Sequence, residues 1–315
     1  MKRAAWFPYF SLLLWVLPLV LIRSGQQSLM AHDEGIYAVQ AKAILETGNW
    51  LAPQWAGEVG FDRTIGIQWL MALGYQLLGL GEEAVRLPSS MAYVLSALLL
   101  LRIGRLTIGD RLGWLGAAIF AVVPLVAHYA RLGTQDMVLV GLEVVAVWAL
   151  LEGERLGHRS WWPLVTGVMF GWVFLIKGFM VLPAAVALLP YLLFAHRRHG
   201  HLANPWLYLG GLLGLVPVVG WLWASIGLYG TDRVWGSLFG KLLHLRGQTY
   251  QGAGPLYYFW NIPANGFPWA ILGAIGGGLI WGKSRDYRML LVGGPLLLFL
   301  ELCLFGTKTP YYPCN

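Results

Sequence analysis

Residues 28–45 read SLMAHDEGIYAVQAKAIL and stand between two strongly apolar parts of the chain. Two adjacent carboxylates, Asp33 and Glu34, arrive just after the first apolar run has ended. The next residues are helical in pattern: Ile36, Val39 and Ala43 recur at helix spacing, and Gly48 offers a stop. Asp33 is placed to cap that helix through a free N–H, and Glu34 to complement its dipole in the first turn. The spacing therefore predicts an amphipathic helix over 34–47, lying on a membrane surface. On local physics alone the pair serves a helix start as readily as a ligand. The two roles are compatible.

The remainder of the chain supplies the membrane. Of 315 residues, 57% are hydrophobic and 12% charged, which indicates a polytopic membrane protein and not a soluble domain. Seventeen Trp and fourteen Tyr suit the two interfaces, where amphipathic rings collect. A span needs about 20 apolar residues. Such runs fall near 6–23, 88–104, 112–128, 134–151, 162–176, 179–195, 205–229, 263–282 and 289–306. A weaker stretch at 65–80 reads as an interfacial or re-entrant helix. The expected fold class is thus an all-α polytopic integral membrane protein, a single domain over 1–315. Its long loops lie at 24–87 and 230–262. The basic, apolar start lacks a small-x-small cleavage site, so a retained anchor is expected. Cys303 and Cys314 fit neither a disulfide framework nor a metal spacing.

Charge sorts the connections into two sets. Lys2 and Arg3, 102–111, 152–159, 196–201 and 283–288 are short and basic, the pattern of cytoplasmic loops. The other set, 24–87, 128–137, 177–178, 230–262 and 306–312, mixes bases with acids and aromatics. Lys and Arg divide almost evenly, twelve to ten, so the assignment rests on the short loops. The formal charge of +7 resides in these clusters and is read as topology, with no nucleic-acid partner. Every chemically loaded segment falls on the non-cytoplasmic side.

The order of motifs in that set resembles the GT-C glycosyltransferases, closest to the branch of bacterial aminoarabinose–lipid A transferases and protein O-mannosyltransferases. Asp33, Glu34 and Tyr37 match its "DE-x-x-Y". Gly48, Asn49, Trp50, Leu51 and Pro53 match "G-[ND]-W-L-x-P", and Phe61, Asp62 and Arg63 match the start of "F-[DE]-K-P-P". VRLPSS (85–90), ARLGTQDMVL (130–139), FLIKGFMVLPA (174–184), the loop 243–269 and TKTPYY (307–312) continue in family order. Each fragment is weak; the ordered set is specific.

The resemblance implies a GT-C bundle of about nine spans, with juxtamembrane helices in the first exoplasmic loop. It implies transfer of a sugar from a polyprenyl-phosphate (undecaprenyl-phosphate-like) donor to a lipid, glycan or protein acceptor, with inversion, at the outer face of an inner or plasma membrane. The acceptor must lose a proton to a carboxylate, for which Asp33 is the expected base. Glu34 would orient the acceptor or neighbouring cations, and Asp136 would join the site. The leaving phosphate needs fixed donors; Arg63, Lys177, Arg246 and Lys308 are the expected cations and Tyr312 the hydroxyl. Tyr37, Asp62 and His244 belong to the acceptor side and its loop. Some members bind a divalent ion near this loop, so a metal cofactor at His244 stays open beside a structural role for a lone histidine.

Structural roles compete with these. Arg63, Lys177 and Lys308 lie near span ends, where long cations reach the headgroups, and Asp136 opens a span, where it can cap. HRRHGH (196–201) reads as a solvated basic loop. Glu143 and Glu301 fall within spans, where a carboxyl is costly, and no partner is evident for either. A multi-span transporter or flippase would show repeat symmetry and ionisable groups near mid-membrane; the polar positions gather at one face instead. A non-catalytic scaffold would be indifferent to Asp33→Asn. The chain departs from the family twice: "K-P-P" reads Arg63-Thr64-Ile65, and the chain ends at YYPCN where the family continues with further spans.

Overall fold

The computed structural model describes residues 6–31, 33–61, 63–247, 254–283, 286–304 and 308, with the side chains of 241–247 and 283 outside that description. It is helical almost throughout. Helix α1 (Phe7–Leu21) is followed by the first long loop, which holds α2 (Asp33–Thr47) and α3 (Gly66–Leu78). Next come α4 (Glu82–Thr107), α5 (Asp110–Val122), α6 (Pro124–Ala130), α7 (Gln135–Leu156) and α8 (Pro163–Lys177). The chain continues through α9 (Val181–Ala187), α10 (Leu189–Phe194), α11 (His196–His199), α12 (Pro205–Tyr229) and α13 (Thr231–Gly247). Helices α14 (Tyr257–Asn265), α15 (Trp269–Lys283) and α16 (Gly294–Leu304) close it, α16 being entered through a π-turn at Met289–Gly293. Between α2 and α3 a two-residue hairpin pairs Gln54 with Val59 and Trp55 with Glu58. Its turn residues Ala56 and Gly57 both have positive φ, 50° and 82°, the primed turn that matches strand twist.

By length and composition three stretches suffice to cross a membrane: Glu82–Thr107, Pro163–Phe194 and Pro205–Tyr229. The expected span at 112–128 is broken at Pro124, where α5 and α6 meet at 67°; taken together they make a fourth. Helices over Phe7–Leu21, Trp269–Gly282 and Met289–Leu304 are apolar but shorter. The stretch Pro163–Phe194 turns back on itself. Lys177 meets Asp136 at the head of α7, whereas Tyr191 donates to Glu154 near the foot of α7 at 2.6 Å. Gly178, with φ +61°, makes the reversal, as its place directly behind Lys177 led one to expect.

The tightest helix pair is α8 with α12. Gly167 and Gly171 on one face Gly210 and Gly214 on the other, each pair four residues apart. A methyl group built on Gly171 would lie 2.1 Å from the Gly214 backbone. Lipid tails give helices no hydrophobic reason to associate, so close backbone approach through small residues takes its place.

The first loop is locked onto this pair. Trp221 Nε1 and Ser225 Oγ on α12 both donate to the Leu51 carbonyl, at 2.8 and 3.1 Å. Asn49 Nδ2 donates to the Tyr229 hydroxyl at 2.6 Å, and Trp69 Nε1 to the Trp50 carbonyl at 2.8 Å. Phe61 is fully buried against Trp221 and Tyr229. The Gly48–Pro53 motif is thus the clip that holds the loop to the bundle. Helix α2 buries Tyr37, Ala38, Ala41 and Ile44 in that packing. Of the apolar positions at helix spacing, Val39 is exposed, while α2 packs on α3.

The two ends of the bundle differ. At one end Arg102 and Arg155 pair with Glu152, Arg198 with Glu154 and Arg105 with Asp110. These come from the connections 102–111, 152–159 and 196–201, which therefore share one end. HRRHGH is solvated only in part, with Arg197 exposed. His199 and His201 are buried and stacked, ring centroids 4.2 Å apart, because α10 and α12 enclose the loop against α7. Asn204 fixes the next helix start by accepting from Trp206 N while donating to the His158 and Ser160 carbonyls.

Candidate active site

The opposite end carries the acidic pair. Asp33 is the first residue of α2, and its Oδ1 accepts from Arg63 Nη1 at 2.8 Å. The Asp33 side chain is 48% exposed, open enough to meet a second molecule. The Arg63 guanidinium also lies over the Tyr37 ring, 5.0 Å from its centroid. Tyr37 follows Asp33 by one helical turn, so its ring steadies the cation that Asp33 holds.

Glu34 holds a cation, one of the two parts the resemblance implied for it. It is buried and accepts from Arg86 Nε at 2.8 Å, Arg86 Nη2 at 3.3 Å, Gly133 N at 2.8 Å and Met30 N at 2.8 Å. No lone pair is left facing a substrate. The bond back to Met30 N, with Gly35 N donating to the Met30 carbonyl, ties the chain before α2 to the first turn of that helix. Burial alone would push the Glu34 carboxyl up. Arg86 and the two amide N–H groups outweigh it and hold the carboxyl below its ordinary value.

Arg86 is the site-supporting residue that sequence reasoning passed over. Besides Glu34 it donates to the Ser24 carbonyl at 2.5 Å and the Ser28 carbonyl at 3.2 Å. It ties the end of the first span, α2 and α4 together. The signal was present in VRLPSS, but a lone Arg in a helix names no partner.

The second ion pair joins α7 to α8. Lys177 Nζ donates to Asp136 Oδ1 at 2.5 Å, and both side chains are largely buried. The two pairs are neighbours. Thr64, next to Arg63, lies 3.8 Å from where a Cβ on Gly178 would sit, and the Gly133 amide, by bonding to Glu34, draws in the bend before Asp136. The structure thus brings together Asp33, Arg63, Tyr37, Asp136 and Lys177, with Glu34 beneath them.

Lys308 has partners of its own. It is buried and donates to the Leu302 and Cys303 carbonyls at 2.6 and 2.7 Å, beneath the Tyr258 ring. It satisfies the carbonyls at the end of α16, an ordinary task for a lysine there. Asp62 and Tyr312 lie outside the described residues, as do the side chains of His244 and Arg246. Among the described residues no group of three or more His, Cys, Asp or Glu side chains could hold a metal ion. The metal expectation at His244 therefore rests on the sequence.

Fold and site together define a helical, polytopic membrane protein with two coupled carboxylate–cation pairs at one end of its bundle. The family model for dolichyl-phosphate-mannose-protein mannosyltransferases matches residues 62–223. The chain belongs to that family. It is 33% identical over 206 residues to the undecaprenyl phosphate-alpha-4-amino-4-deoxy-L-arabinose arabinosyl transferase 2 of Pseudomonas fluorescens, covering 60% of this chain and 35% of the relative. It is 29% identical over 262 residues to transferase 1 of the same organism, covering 78% of this chain and 47% of the relative. The chain thus spans less than half the length of these relatives. Its fold superposes on the crystal structure of ArnT from Cupriavidus metallidurans bound to undecaprenyl phosphate with a TM-score of 0.83 and 20% identity, covering 99% of this chain and 58% of the other. The apo form of that protein gives 0.73 and 21% identity. The GT-C expectation for the fold holds.

Proposed function

We propose that this chain carries the catalytic membrane portion of a glycosyltransferase that moves a sugar from a polyprenyl-phosphate donor to a hydroxyl of a lipid, glycan or protein acceptor. The observation that carries this reading is the pairing of a half-exposed carboxylate, Asp33, with a guanidinium, Arg63, beside a second cation, Lys177. Family membership and the named activity of the similar transferases support it. The site is assigned to the non-cytoplasmic face, since the basic connections collect at the other end.

In this mechanism Asp33 takes the acceptor proton as the hydroxyl oxygen attacks the anomeric carbon. The bond from that carbon to the carrier phosphate breaks with inversion, and the phosphate leaves with added negative charge. Arg63 and Lys177 face that charge. Arg63 has five N–H donors, so it can hold Asp33 through one and bind phosphate with others. Arginine in place of the family's usual lysine suits a planar, two-pronged contact to phosphate. Glu34 and Arg86 position the start of α2 and touch no substrate. A divalent ion at His244 is proposed only as an addition, and no step of the transfer depends on it.

The test is transfer by the full chain in vesicles, from a radiolabelled polyprenyl-phosphate sugar. Asp33→Asn should lower turnover by about 100-fold or more, the usual worth of a positioned base, while donor binding persists. Full turnover in Asp33→Asn would overturn the assignment.

A further inference from the structure

A cavity of about 430 Å3, open on one side, lies between α4, α7, α8, α9 and α16. Its size is within the usual range of small-molecule sites, about 300–1,000 Å3. The walls are apolar, with Leu100, Val140, Phe170, Pro183 and Leu298 among them, and Glu143 is the one ionisable residue among the described residues that line it. Glu143 follows Asp136 on α7 by seven residues, two turns and about 10 Å deeper on the same face. No hydrogen bond or ion pair of the described residues involves it.

A carboxyl left without a partner at this depth is costly and marks a functional position by default. Lys177 acts on it through space, but that ammonium is already bonded to Asp136. The three groups, Asp136, Glu143 and Lys177, carry two potential negative charges against one positive. With Glu143 ionised the deficit is one cation, and the space beside it is lined with hydrocarbon.

We propose that this cavity is a binding site for a cationic amphiphile, an ammonium head on an aliphatic body, with Glu143 as the counter-ion. The charge deficit selects the head and the apolar walls select the body. The site lies deeper than Asp33 and needs no transfer chemistry there, but it shares the Asp136–Lys177 pair with the proposed transfer site.

Native mass spectrometry of the full chain in detergent micelles, titrated with dodecylammonium or with dodecanol, tests this. Wild-type protein should bind one dodecylammonium saturably and prefer it to dodecanol by about tenfold or more, as expected when a hydrogen bond gains a charge. Glu143→Gln should abolish that preference at an unchanged melting temperature. Ala184→Phe, which fills the cavity from α9 without touching the carboxyl, should lose both ligands. Equal binding of amine and alcohol to wild type would overturn the proposal, leaving only an apolar void. Retained preference in Glu143→Gln, or undiminished binding in Ala184→Phe, would overturn it too. Should Glu143→Gln fail to fold, the wild-type ratio and Ala184→Phe decide the matter alone.

Discussion

The buried pair Glu34–Arg86 gives the sharpest test of how the site is held. In Arg86→Met the side chain keeps much of its volume but withdraws two bonds from the Glu34 carboxylate and one each from the Ser24 and Ser28 carbonyls. Removing one partner of a buried pair costs about 3–5 kcal/mol, because the other charge stays behind without compensation. Here the Gly133 and Met30 amides still hold the carboxylate, which places the expected loss near the lower end, about 3 kcal/mol. The Glu34→Met, Arg86→Met double variant removes both charges. It should be more stable than the sum of the single losses by about 2 kcal/mol. Unfolding free energies in mixed micelles would measure all four proteins. A loss below about 1 kcal/mol in Arg86→Met, or strict additivity in the double variant, would rule out this account of the pair. The pH dependence comes from the same bonds. The folded carboxyl sits below its ordinary 4.5. Its contribution is therefore present above the unfolded value and is lost as pH falls below that value and through the folded one.

Other outcomes are expected at separate places. Gly171→Leu would drive a side chain into the Gly214 backbone of α12, so thermal unfolding should show a loss of about 3 kcal/mol or failure to fold; an unchanged melting temperature would contradict the close α8–α12 contact. Lys177→Met leaves Asp136 unpaired at the mouth of the bundle. Donor KM in the vesicle assay should rise and stability should drop by about 2–3 kcal/mol, less than for a fully buried pair; unchanged values of both would argue against the pairing. Burial holds the His199 imidazole below its ordinary 6.5 and pushes His201 down to about 3. The unfolded histidines take up protons that the folded ones refuse, so stability should be complete above pH 6.5 and fall from there toward pH 3. His201→Phe preserves a ring against His199 and should flatten that slope in melts between about pH 7.5 and 5, a window set by the unfolded histidine. A slope equal to wild type would show that this histidine does not cause it.

How far the site was legible varies residue by residue. Asp33 and Arg63 stood out because an acidic pair and a basic residue flanked the same interfacial helices, and motif order placed them. Which cation Glu34 holds, and that it is buried while Asp33 stays open, follows from where the two side chains point. Residues i and i+1 on a helix point about 100° apart, so one faces outward while the other enters the core. The contacts of Lys308 were not legible for a related reason: a cation near a span end can face headgroups or satisfy carbonyls, and its own sequence neighbours do not discriminate. The histidines of 196–201 looked solvated because polarity is local information, whereas enclosure by α7, α10 and α12 is not.

Residue order and composition were enough for the membrane class, the helical content, the division into a basic and a chemically mixed set of connections, and the family order of motifs. These depend on neighbours within a few turns, where hydrophobic runs and loop charge act directly. Packing in three dimensions chose who holds whom: Arg86 with Glu34 across 52 positions, Lys177 with Asp136 across 41, and Leu51 with Trp221 across 170. Those partners are set by which helix ends meet when glycine faces close against each other. An ion pair forms between groups that packing has already brought within reach, and no local pattern records that distance.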